Sequence, residues 1–366
     1  MNKLAHRIVL GSLCLTWLTV AAFGQSPTTR AAPRDRKATN DVHTLARKGW
    51  PIGPEEVQRL EEKVAADPDN LESRIMLLGH YSRTRYRSHK SYAAHIRHAL
   101  WIIEHRPASK IAGSSYAELD RVLDGSVFAR GKQLWLKHVE DQPKNVAILA
   151  NAAEFFNLYE PETTEKLLQR LQTLQPKNSR WPRELGNLQM LHAWRRDGDI
   201  NPDAARKAYT AYEQALQRVS GARERHALLE EAARSALHAG ILDKAQQYAQ
   251  ELLDTAVEAS HAATWNFGNA VHHGNLVLGH IALLRGDLKR AEEHLIKAGK
   301  TPGSPQLNSF GPNMLLAREL LRKKRPDAVI EYLRLCGVFW DRTKTDAWIK
   351  MIEAGGIPGF GGNLRY

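Results

Sequence analysis

From Glu55 onward, apolar residues recur at three- and four-residue spacing, as in Val57, Leu60 and Val64, and again in Leu167, Leu168, Leu171 and Leu174. That period puts them on one face of an α-helix, and no long run alternates apolar with polar as a half-buried strand would. The body of the chain therefore reads as helical almost throughout. Two segments ahead of it lack the pattern. Residues 25–52 are rich in Arg, Pro, Thr, Ala and Asp and read as a flexible basic leader. Residues 1–24 open with Lys3 and Arg7, run uncharged from Ile8 to Gly24 and end on the small-residue pattern Ala22-Phe23-Gly24. They predict a signal peptide cleaved near Gly24 and Gln25, and so a periplasmic or secreted protein, with an N-terminal membrane anchor as the alternative. At the far end, Ala347, Trp348, Met351 and Ile352 predict one apolar helix face, so that 343–366 forms a capping helix and a Gly-rich tail.

Self-comparison of the helical body, residues 53–342, shows a repeat. Gln142-Pro143-Lys144-Asn145 returns as Gln175-Pro176-Lys177-Asn178, and Asp67-Pro68-Asp69-Asn70 is a variant. In each, Pro stops one helix and Asn is placed to cap the next. Leu-Gly pairs follow at Leu78-Gly79 and Leu185-Gly186, and Leu278-Gly279 leads into Gly286, Ala291, Leu295 and Ala298. Ala208, Ala245, Ala291 and Ala328 occupy corresponding places in four second helices. Small residues at these positions let two helix backbones cross closely.

This combination resembles the tetratricopeptide repeat family, over about 55–342. The large aromatic that opens the family pattern is mostly missing, and residues 84–144 fit loosely. The resemblance implies an all-α, right-handed α-solenoid of about six to seven helix-turn-helix repeats, whose first helices line a concave groove. It also implies a scaffold that binds a protein or peptide. In that register the groove positions are His80, Arg83, Arg180, Arg183, Asn187, Arg234, His273, His280 and Asn313. The set contains no acidic residue and predicts a partner with an acidic or carboxylate-terminated segment.

Composition narrows the choice. The chain has 366 residues with 43% apolar and 25% charged, as in a folded protein. A formal charge of +12 favours anionic partners, including peripheral contact with an anionic envelope surface. Arg83, Arg85, Arg87, Lys90, Arg97 and His98, interleaved with Tyr81, Tyr86 and Tyr92, have the composition of a nucleic-acid surface. Export argues against such a partner, and the expectation is no nucleic acid. Asn266, Asn269 and Asn275 beside Trp265 and Phe267 suggest a binding loop inserted between repeats.

Catalytic signatures are absent from the sequence. There is no Gly-x-Ser-x-Gly, His-Glu-x-x-His or phosphate-cradling glycine loop, and His272, His273 and His280 lack metal-ligand spacing. Adjacent carboxylates such as Glu230-Glu231 point to different sides of a helix and give no acid–base pair. The expectation is a scaffold without catalysis, cofactor or metal; the alternative is a ligand-handling or glycan-related envelope enzyme on a helical-repeat frame. Of the two cysteines, Cys14 falls in the signal peptide and Cys336 in a helical pattern, so no internal disulfide is expected in the mature chain.

Overall fold

The computed structural model describes residues 42–194, 200–257 and 267–364. The expected signal peptide, the leader up to residue 41, and Trp265 and Asn266 lie outside them. Among the described residues the chain forms 17 α-helices and no β-strand. It is an all-α, helical-repeat protein, as the periodicity predicts. It divides into two compact units, residues 1–160 and 161–366.

The described part of the first unit runs α1 (Val42–Lys48), α2 (Pro54–Ala66), α3 (Leu71–Thr84), α4 (His89–His105), α5 (Gly125–Asp141) and α6 (Val146–Phe156). Two of the three repeated Asn residues cap as expected: Asn70 accepts from the Ser73 N–H at 3.1 Å and Asn145 from the Ile148 N–H at 3.3 Å, whereas Asn178 precedes the N-cap residue Ser179 and accepts from the Arg180 N–H at 3.0 Å. Leu60, Val64, Leu77, Tyr81 and Ala94 form a core between α2, α3 and α4. The leader expected through residue 52 is corrected here, because its last part is α1, packed on α3. Glycine makes that packing possible. A Cβ built on Gly79 would lie 1.9 Å from the Ala46 carbonyl oxygen, and one on Gly49 would lie 1.9 Å from that of Met76.

The second unit comprises α7 (Pro161–Leu174), α8 (Arg180–Ala193), α9 (Pro202–Arg218), α10 (Ala222–His238), α11 (Leu242–Ala256), α12 (Phe267–Leu284), α13 (Leu288–Gly299), α14 (Pro305–Phe310), α15 (Leu315–Arg322), α16 (Pro326–Cys336) and α17 (Arg342–Glu353). From α7 to α13 successive helices pack against one another and α10 also meets α12, while α16 packs against α13, α15 and α17. The repeat alanines Ala208, Ala245 and Ala291 are fully buried, and Ala328 is buried as well. A Cβ on Gly279 would stand 2.4 Å from Leu316 Cδ2, so this glycine does sit where helices cross.

Three helix pairs are joined by the same turn. Gly240 and Gly286 have φ of 75° and 82°, and Lys324 takes the equivalent place with φ of 60°. Each is followed by a residue whose N–H reaches back five positions: Ile241 to Ala236, Asp287 to Ala282 and Arg325 to Leu320. This is the Schellman closure, which a left-handed residue permits. Lys324 adopts the strained conformation without glycine's freedom.

The C-terminal helix α17 buries Thr345, Ile349 and Ile352, with Trp348 partly covered against Phe360. Ala347 and Met351, expected on that face, are exposed. Cys336 is buried within the same core, and burial pushes its thiol pKa up.

Candidate ligand-binding face

In the second unit the first helix of each pair is α8, α10, α12 or α15. Their turns bring together most of the expected groove residues, but with carboxylates among them. On α8, Arg180 and Arg183 are about half exposed and both approach Glu184, at 4.0 and 3.2 Å. Asn187, one turn on, donates to Glu184 at 3.3 Å and accepts from the Tyr212 hydroxyl at 2.8 Å. Two guanidinium groups thus share one carboxylate. The local charge is positive, and N–H donors remain for a ligand.

On α10 the half-buried Arg234 lies 3.9 Å from Glu230, and the buried His273 of α12 lies 3.5 Å from the same carboxylate oxygen. Burial pushes His273 down to about 3, aided by the charge of Arg234. His280 is pushed down to about 4 by burial and Arg318, and His238 to about 3 by burial and the neighbouring His280 and Arg234. These histidines are neutral at physiological pH.

Three expectations are corrected. The face does have acidic members, Glu184 and Glu230, with Glu231 beside them. Asn313 is not a ligand-facing residue. It is buried: its N–H donates to His272, its side chain accepts from Leu315 N–H at 2.9 Å, and its carbonyl accepts from the Tyr332 hydroxyl at 2.7 Å. His272 completes that contact through Nδ1, 3.1 Å from the Ala298 carbonyl, which fixes a neutral tautomer. Residues 267–275 form the start of α12 rather than a loop, and Asn269 and Asn275 are buried and bonded to Ser304 and His294. In the first unit, His80 is half-buried with its pKa pushed down by burial, while Arg83 is exposed over the Trp50 ring.

The carboxylates that sequence reasoning passed over are the most perturbed groups of the face. Glu230 is only 7% exposed. Glu231 is half-buried, and its Oε2 is enclosed without a hydrogen-bond partner. Burial and the adjacent Glu230 push Glu231 up to about 7, against the opposing pull of Arg234 and Arg183. Burial likewise raises Glu230. A signal was present: Glu230 falls in the helical stripe of His226, Ala233 and Leu237, all buried.

The pair can hold a proton at neutral pH, and this has a measurable consequence. A carboxyl whose folded pKa exceeds its unfolded value of 4.5 loses stability as pH rises, here between 4.5 and about 7. Glu231→Gln is therefore expected to melt higher than the parent at pH 8 and close to it at pH 5. Parallel melting shifts at both pH values would contradict the assignment.

No family model matches the sequence, and no curated protein matches it. Seven solved chains match, among them the human IFIT1 dimer with m7Gppp-AAAA, at TM-score 0.45 and 18% identity over 85% of this chain and 70% of that one. The helices, turns and small-residue crossings described above make the fold an all-α, tetratricopeptide-like helical repeat. The expectation of no nucleic acid is corrected by the same finding: the matching IFIT1 structure holds m7Gppp-AAAA, and the exclusion is dropped.

Proposed function

We propose that the protein is a non-catalytic binding scaffold that receives an extended protein or peptide segment on the first helices of residues 161–364, with carboxylates of that segment bound at Arg180 and Arg183. The observation that supports this most directly is the sharing of Glu184 by those two half-exposed arginines. A carboxylate arriving there meets charge-assisted donors that the fold leaves unsaturated. Arg234 contributes less than the sequence suggests, because Glu230 already compensates it. The exported location inferred from residues 1–24 belongs to the same reading.

The test uses a fluorescein-labelled, glutamate-rich peptide and the full chain in fluorescence anisotropy. Charge reversal at Arg180 and Arg183 is expected to weaken binding about tenfold or more, and binding weakens as salt rises. Reversal at the leader residues Arg30, Arg34 and Arg36 is expected to change it by less than about twofold. Equal losses from the two sets would assign the binding to diffuse basicity and end the proposal.

A further inference from the structure

The basic and aromatic run between residues 81 and 98 is sorted by the fold into an internal and an external set. Arg85 is bound to Glu118 at 2.9 Å and is almost covered. Arg97, His98 and Tyr81 all converge on Glu61. These groups are taken. Arg83, Arg87 and Lys90 are exposed instead, and among the described residues no carboxylate lies within ion-pair distance of any of them.

Two rings accompany these cations. Trp50 is 41% exposed and Tyr86 is 64% exposed. The Arg83 guanidinium lies 5.1 Å over the Trp50 ring and that of Arg85 lies 4.9 Å over Tyr86. Tyr116 stands 6.4 Å from Trp50, with the two rings tilted by 45°. The end of α3, the turn after it and the start of α4 thus carry cations without carboxylate partners, with the partly exposed rings of Trp50 and Tyr86 beside Arg83 and Arg85.

That pairing discriminates between partners. A carboxylate-bearing peptide satisfies the cations but brings no flat surface for the rings. A nucleic-acid duplex brings phosphates but keeps its base faces stacked within itself. A single strand offers both, with bases free to stack on aromatic or guanidinium planes and phosphates at regular spacing. We propose that the surface formed by Trp50, Arg83, Tyr86, Arg87 and Lys90 binds single-stranded nucleic acid, with bases stacking on Trp50 and Tyr86 and phosphates held by the three cations. The site belongs wholly to residues 42–160 and is independent of the arginines on α8.

The test titrates the full chain into a fluorescein-labelled single-stranded oligouridine, with a duplex of equal length and the glutamate-rich peptide as comparisons. Single strand is expected to bind more tightly than either. Tyr86→Ala and Trp50→Ala should each weaken it roughly 5- to 150-fold, with the salt dependence unchanged. The triple variant Arg83→Gln, Arg87→Gln, Lys90→Gln should reduce the slope of log affinity against log salt by about 2. Because Tyr86 is mostly exposed, its variant is expected to keep the parent's helical circular dichroism and melting. Charge reversal at Arg180 and Arg183 should leave oligouridine binding unchanged, which separates this site from the peptide-binding face. Duplex binding as tight as single-strand binding, or ring variants that bind as the parent does, would overturn the proposal.

Discussion

Replacing Gly79 by alanine is expected to undock α1 from α3 and lower the stability of the first unit by about 3 kcal/mol, the upper end for a single overpacking change. The new Cβ would stand 1.9 Å from the Ala46 carbonyl oxygen, well inside contact distance. The obstacle is main chain, so no side-chain rotation relieves it. Only a shift of the whole helix does. Gly49 makes the reciprocal approach to Met76, so both ends of the crossing depend on the missing side chain. Thermal unfolding measures the loss, and amide exchange at Leu45 and Ala46 reports where it occurs. Unchanged melting together with unchanged protection would show that α1 does not lie against α3 as described.

Removal of Glu61 is the second large effect. Its carboxylate accepts from the Tyr81 hydroxyl at 2.9 Å, from Arg97 at 2.7 and 2.8 Å, and from His98 Nε2 at 3.1 Å. His98 Nδ1 in turn faces the Arg74 guanidinium at 3.3 Å, and Arg74 stacks over Trp101 at 3.8 Å. Burial would raise the Glu61 pKa, but the bonds and charges of His98, Tyr81 and Arg97 outweigh it and hold the carboxyl at about 2. A carboxyl lowered from 4.5 to about 2 stabilises the fold by roughly 3 kcal/mol above pH 4.5, and that contribution is lost as pH falls toward 2. Glu61→Gln is expected to lose about 2–3 kcal/mol at pH 7, allowing for the carboxylate's partial exposure, and to show a flatter acid limb between pH 4.5 and 2. Denaturant titration at pH 7 and pH 3 measures both. A variant with the parent's acid limb would mean that Glu61 is not the group being titrated.

The helical body was legible because its signals are local. Leucines at 167, 168 and 171 share a face, Asn70 and Asn145 cap, and alanines at 208, 245 and 291 mark tight crossings in the chain as they do in space. Features that depend on a second helix were harder to read. The helix α1 has only seven residues and one buried side chain, so it shows little periodicity, and its docking comes from glycine and main chain. Lys324 occupies a turn that glycine marks in the two preceding repeats, which conceals the register there. The repeat register places Asn313 and His273 in a groove. Their depth depends on how α12 meets α10 and on the bonds linking Asn313 to His272 and Tyr332. Glu230 and Glu231 read in sequence as adjacent residues on different sides of one helix, and their burial comes from the neighbouring helices.

Cys336 gives the C-terminal core a built-in clock. Its sulfur is sealed among residues of α13, α16 and α17 and held as the neutral thiol, the form that does not attack alkylating reagents. Modification therefore has to wait for those helices to part. In a chain whose Cys14 has been replaced by serine, the speed at which a thiol reagent is consumed then measures how often that end of the protein opens. A ligand gripped by the second unit would slow that consumption without touching the sulfur.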